Sequence, residues 1–164
     1  MDSSHPPAAA RQCSKPLPLE KAVEYLLEEC RIVLPGIQVL FGFQLATVFT
    51  ERFAHALSTG EQRLHLLAIT LVAIAIALIM TPAAYHRQAE PQHASERFIR
   101  VSTRLLLASM PPLAIGICLD FYLVSRLVLD AAWVAWLAAG LFAVFVALWF
   151  VLPIIGRHHA HRDE

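Results

Sequence analysis

Three polar side chains lie inside apolar stretches of this sequence, where they could act on an ion or a proton. Asp120 ends the uncharged run 105–119, and Gln38 and Gln44 lie within the run 32–50. Carboxyl and amide groups are costly in hydrocarbon unless they are hydrogen-bonded, so the three are candidates for a polar path through a membrane. The alternative for the two glutamines, which point about 120° apart on a helix, is hydrogen bonding between helices.

The depth of Asp120 bears on its role. It follows Arg104 by 16 residues, about 24 Å along a helix. It is therefore predicted near the outer membrane boundary, with Arg126 as a candidate partner. The alternative to a functional acid is a collar of ion pairs at that boundary. Other members of the collar would be Glu51, Arg52, His55, Glu61, Arg63 and His65.

A second charged cluster is predicted at the opposite, cytoplasmic boundary. Glu28, Glu29 and Arg31 enter the first apolar run at the level where His86 and Arg87 leave the second. His86 is the candidate for proton exchange, because histidine ordinarily changes its charge close to neutral pH. The alternative is a solvated belt of ion pairs.

Alanines recur at every fourth position of the last apolar run. Small residues at this spacing let helix backbones approach closely, because lipid provides no hydrophobic drive for helices to associate. The stripe predicts either packing within the chain's own bundle or a contact with a second copy or a membrane partner. Its members are Ala131, Ala135, Ala139, Ala143 and Ala147.

Sequence motifs for catalysis, cofactors and nucleic acids are missing. The chain has no phosphate loop, no dinucleotide fingerprint and no Ser-His-Asp order. His158, His159 and His161 have no carboxylate or thiol at ligand spacing, so no metal site is predicted. Lys and Arg together equal Asp and Glu at 13 each, which excludes a nucleic-acid binder driven by net charge. We predict a protein that is not an enzyme and needs no cofactor.

The elements that must hold these residues are membrane-spanning helices. Hydrophobic residues make up 57% of the 164, charged residues make up 16%, and the mean hydropathy is +0.57. Soluble domains carry roughly 25% charged residues. Four apolar runs approach or exceed the length needed to cross about 30 Å of hydrocarbon. We predict an all-α polytopic membrane protein, a four-transmembrane-helix bundle with an N-terminal amphipathic interfacial helix.

The predicted boundaries follow the apolar runs and the capping signals. Ser58 to Glu61 has the form of a capping box, Ser95 precedes the third span, and Asp130 precedes the fourth. The membrane domain, 19–156, lies between a disordered tail at 1–18 and a cytoplasmic tail at 157–164. Its predicted helices are 19–31 at the interface and 32–53, 62–86, 101–124 and 131–155 across the membrane.

The distribution of Lys and Arg sets the predicted orientation. Ten of them fall before the first span, between the second and third spans, or after the fourth, and three fall on the other side. Positive residues are enriched in cytoplasmic loops. This asymmetry predicts a multi-pass protein of a bacterial inner membrane with both termini in the cytoplasm.

Two longer motifs carry a family resemblance. They are LPGIQVLFGFQL at 34–45, preceded by Glu28, Glu29 and Arg31, and TPAAYHR at 81–87. Together they resemble an uncharacterised family of short bacterial four-span membrane proteins whose members are sometimes labelled sodium:proton antiporters. The resemblance covers roughly residues 20–156. It implies the four-span fold and cation–proton exchange, and it transfers no catalytic or binding residue.

Two functions are predicted from these features. The first is a small inner-membrane protein that performs ion- or proton-linked transport or supports a transport protein. The second is a structural or regulatory module that binds a membrane partner, or itself, through the alanine face of the fourth span. The lipid bilayer is the predicted partner in both cases.

Overall fold

The computed structural model describes residues 18–89, 95–129 and 133–160, and all regular elements in these ranges are helical. Four of its helical segments are long and apolar enough to cross a membrane, the last running from Val134 to Gly156. The predicted all-α bundle is confirmed. In chain order the elements are α1 (Leu19–Val48), α2 (Glu51–Ala56), α3 (Thr59–Ala89), α4 (Glu96–Leu129), α5 (Val134–Val146), a π-helical turn (Ala147–Val151) and α6 (Leu152–Ala160).

The starts of α3 and α4 follow the predicted capping residues. The Ser58 hydroxyl and backbone N–H both donate to Glu61 Oε2, at 2.7 and 2.9 Å, and the Glu61 N–H donates to Ser58 Oγ at 3.4 Å. This is the reciprocal pattern of a capping box. At the start of α4, the N–H of Phe98 donates to Ser95 Oγ at 3.1 Å. Both predicted starts are confirmed, whereas Asp130 lies outside the described residues.

The predicted interfacial segment 19–31 is the first part of α1 and continues into the membrane span without a break. The helix continues through Pro35, which has no N–H to donate to the carbonyl of Arg31, and one buried stripe extends from Val23 and Leu26 to Ile37. The amphipathic pattern therefore marks a packed face of α1, and the interfacial position of its first part stays a prediction. At the other end α1 stops at Val48, and α2 occupies part of the predicted span 32–53.

The centre of the bundle is the pair α3 and α4, with α1 packed against them and α5 against α4. Their closest approach is at Gly116. A Cβ atom placed on Gly116 would lie 2.8 Å from Val72 Cγ2 and 3.1 Å from the carbonyl oxygen of Ala68. Two helices come this near only where a residue lacks a side chain.

The fourth span packs against the rest of the bundle along one of its faces. Val134 is the buried residue among the described side chains of residues 133–156. The helix widens into a π-helical turn at Ala147–Val151, directly before Pro153. Proline has no N–H to donate to the carbonyl four residues earlier, here that of Trp149, which lies inside this turn.

The two predicted tails are described only in part. The helix α6 continues to Ala160, four residues into the predicted tail 157–164. Residues 161–164 and the predicted disordered tail, apart from Pro18, lie outside the described residues.

Candidate functional site

Three polar side chains from three helices meet near the end of the bundle where α2 joins α1 to α3. His65 Nδ1 lies 3.0 Å from Asp120 Oδ1, and His65 Nε2 lies 3.0 Å from the backbone carbonyl oxygen of Gln44. The Gln44 Nε2 amide donates to Asp120 Oδ2. Gln44 and His65 are buried, and the Asp120 side chain is 16% exposed. We call Gln44, His65 and Asp120 the polar cluster.

The helices place these side chains through their buried faces. His65 is in register with Ala68, Ile69 and Val72, which are all buried on the same face of α3. Asp120 follows Gly116 by four residues, so it lies on the face of α4 that packs closest to α3. Small residues at the α3–α4 contact thus bring an imidazole and a carboxylate within hydrogen-bond distance.

The short helix α2 covers the polar cluster. The ring of Phe53 lies 5.2 Å from the imidazole of His65, centroid to centroid, at an interplanar angle of 58°. An aromatic ring over the histidine limits the access of water from this side. The helix α2 is therefore part of the site, although it is too short to cross a membrane.

The partners of His65 limit the ways in which its ring can form hydrogen bonds. A backbone carbonyl only accepts hydrogen bonds, so the contact with Gln44 is a hydrogen bond when His65 Nε2 carries a proton. When the Nδ1 contact is a hydrogen bond as well, either an imidazolium donates to an ionised Asp120, or a protonated Asp120 donates to a neutral ring. Both descriptions contain two protons and no net charge. The geometry is that of a histidine–carboxylate pair with an oxygen at hydrogen-bond distance from each ring nitrogen.

One polar atom of the site has no hydrogen-bond partner. Among the described residues, Gln44 Oε1 is buried and unbonded. Gln44 adjoins a cavity of about 210 Å³ that is also lined by Thr47, Phe53, His65 and Asp120. Most of its other lining is apolar, from Leu40, Phe43, Leu57, Leu123, Val124 and Leu127. The cavity is large enough for water, and the free amide oxygen can accept a hydrogen bond from a water molecule at the polar end.

The residues around the polar cluster form a separate ion pair. Arg126 Nη2 lies 3.6 Å from Glu61 Oε1 across α4 and α3. Arg126, the predicted partner of Asp120, pairs with Glu61, and Asp120 bonds to His65 and Gln44. Glu51 and Arg63, two other predicted members of the collar, are exposed.

The structure brings together two of the three residues of the predicted polar path. Gln44 and Asp120 meet, whereas Gln38 is exposed on the outside of α1. His65 is a predicted collar residue, and the sequence interpretation missed its contacts with Asp120 and Gln44. The sequence signal was the three-residue spacing of His65 and Ala68, which places both on one face of α3. No group of three His, Cys, Asp or Glu side chains gathers as a metal-ligand set anywhere in the described part of the chain.

The predicted cytoplasmic cluster divides into two parts. Arg31, His86 and Arg87 line a groove of about 450 Å³ between α1 and α3. Glu28 is exposed away from the groove, and Glu29 borders a different recess. As far as the structure describes them, none of the five forms an ion pair. The His86 ring packs edge-on against Phe98, at 5.4 Å between centroids.

The alanine stripe of the fourth span faces outward. Ala135, Ala139, Ala143 and Ala147 are exposed, so they do not pack within the single chain. Ala131 lies outside the described residues.

Comparison with curated proteins and with solved structures finds no match to the chain. A family profile matches residues 18–153, a range that contains the polar cluster and nearly all of the four apolar segments. This match carries no activity, and it does not support the sodium:proton exchange that the resemblance implies. It covers most of the sequence, and on that ground the chain belongs to DUF6328, a family of unknown function.

Proposed function

We propose that this chain is a proton-linked membrane transport protein and that the polar cluster is its proton-binding site. The observation that carries the proposal is the contact of His65 with Asp120, little exposed among apolar helices and beside a cavity large enough for water. Ionisable groups inside membrane bundles commonly mark proton or ion pathways. A buried ion pair is only weak evidence for a role in stability, since its desolvation offsets much of its attraction.

Loss of one proton would change the contacts between three helices. If the proton passes from the pair to a water molecule in the cavity, a neutral ring remains beside an ionised carboxylate. One ring nitrogen then presents a lone pair to an oxygen of Asp120 or Gln44. This repulsion favours separation of α3 from α4 or from α1, and proton release is thereby coupled to helix packing, as transport requires.

Proton flux in reconstituted vesicles tests this function. Purified protein in vesicles loaded with a pH-sensitive dye should move protons when a sodium or potassium gradient is imposed. Asp120→Asn should reduce the flux by about tenfold or more, because an amide does not ionise yet fills the same space. Gln38→Leu is the matched control, since Gln38 is exposed and outside the polar cluster.

Two results would count against the transport proposal. The first is that the natural protein, folded in the vesicles, shows no flux above empty vesicles under either gradient. The second is that Asp120→Asn transports protons as fast as the Gln38→Leu control, which would separate the flux from the polar cluster.

A second candidate function rests on the outward-facing alanine stripe. Exposed small residues at four-residue spacing suit close contact with another membrane helix. With the native cysteines replaced by serine, Ala139→Cys should form a cross-linked dimer in membranes. Adding Ala143→Leu should abolish the dimer, while Ala77→Leu, at an exposed alanine of α3, should preserve it. Absence of the cross-linked dimer in the Ala139→Cys protein without further changes would rule out self-association through this face.

A further inference from the structure

We infer that the groove lined by Arg31, Leu34, Met80, His86 and Arg87 binds an anionic phospholipid. We call it the basic groove. In this complex, the two arginines hold the headgroup phosphate, and the apolar wall between α1 and α3 holds an acyl chain. The inference does not depend on the proposed proton transport, because it concerns the opposite end of the bundle.

The charge of the basic groove selects an anion. Two arginines and a histidine line it, and none of its described lining residues is acidic. Neither Arg31 nor Arg87 forms an ion pair among the described residues, so both guanidinium groups can bind a ligand. The planar fork of arginine matches two oxygens of a phosphate group.

The wall of the basic groove selects a lipid over a free phosphate. Leu27, Leu34, Ile79 and Met80 supply an apolar surface beside the charged side chains in the same groove. Met80 is 47% exposed, an apolar side chain that a bound acyl chain would cover. A second recess of about 310 Å³ shares Met80, Ala83 and Arg87 with the groove, so the binding surface continues along α3.

The position of the basic groove agrees with the level of a lipid headgroup. His86 follows His65 by 21 residues on α3, about 32 Å along the helix axis. The His86 and Arg87 end of the groove thus lies about one hydrocarbon thickness from the polar cluster, and Arg31, 13 residues before Gln44 on α1, lies about 20 Å from it along the axis. Basic pockets between membrane helices at the interface commonly receive anionic headgroups.

The test is retention of lipid by the purified protein. Detergent-solubilised protein is offered equal amounts of phosphatidylglycerol and phosphatidylcholine, and the lipids retained are counted by native mass spectrometry. Phosphatidylglycerol should be preferred by the natural sequence. The double variant Arg31→Gln with Arg87→Gln should reduce its retention by about tenfold.

The control removes the same charge from the same end of the bundle. Arg97→Gln with Arg100→Gln changes two exposed arginines of α4 that do not line the basic groove, and retention should stay within about twofold. Ala83→Phe fills the groove without changing its charge and should also displace the lipid. All of these positions are exposed, and helicity confirms that each variant folds.

Three outcomes would overturn the inference. Equal loss of lipid in the two double variants would mean general attraction to a charged surface. Full retention in Ala83→Phe would place the lipid elsewhere. Displacement of phosphatidylglycerol by millimolar inorganic phosphate would identify a site for the phosphate group alone, with no contribution from the apolar wall.

Discussion

Replacing Gly116 with alanine is expected to lower the free energy of unfolding by about 1–2 kcal/mol, although alanine is the better helix former. The added Cβ would meet Val72 Cγ2 at 2.8 Å and the Ala68 carbonyl oxygen at 3.1 Å. Val72 is fully buried and branched at Cβ, so it has little freedom to turn aside. The helices α3 and α4 must therefore move apart, and a larger residue such as leucine should cost more.

Gly140 provides the matched control in the same kind of helix. No atom lies within 4 Å of the position that its Cβ would occupy. Gly140→Ala should leave stability unchanged or raise it by up to about 1 kcal/mol. The two variants are compared by unfolding in a denaturing detergent. If Gly116→Ala were as stable as Gly140→Ala, the close contact of α3 with α4 would be refuted.

The second large effect is expected at Asp120. Asp120→Leu should lower the free energy of unfolding by about 2–4 kcal/mol, because the ring of His65 and the amide of Gln44 both lose a buried partner. Asp120→Asn should cost less than about 1 kcal/mol. Its amide can donate to a neutral His65 ring, whose Nε2 still donates to the Gln44 carbonyl.

These two variants separate folding from function. The asparagine variant should fold almost normally and lose proton flux, whereas the leucine variant should be impaired in both. The same detergent unfolding assay, read by the loss of helical circular dichroism, measures stability. Equal destabilisation by leucine and asparagine would show that size matters at this position and that hydrogen bonding does not.

The fold was predictable because its signals are local. Each membrane span is a continuous apolar run, and the starts of α3 and α4 depend on residues three apart, Ser58 with Glu61 and Ser95 with Phe98. The predicted boundary at residue 31 does not appear as a break in α1. An amphipathic pattern reports which face is covered, and it does not report whether lipid or protein covers it.

The polar cluster was predictable only in part, for a physical reason. Membrane helices are apolar on all sides, so hydropathy does not reveal which face of α3 meets α4. The pairing of His65 with Asp120 spans 55 residues and depends on that missing information. Ala68 and Gly116 mark the contact by their small size, and only the assembled helices show that they face each other.

The π-helical turn in the fourth span limits how closely a neighbouring helix can pack there. The alanines offer a flat strip from Ala135 to Ala147, which is 12 residues or about 18 Å. Within the π-helical turn and directly after it, the bulky side chains of Leu148 and Leu152 are exposed. These side chains would hold a helix that packs on this strip away from the fourth span. The two helices would therefore diverge toward the end of the bundle that holds the basic groove, and lipid would fill the space between them.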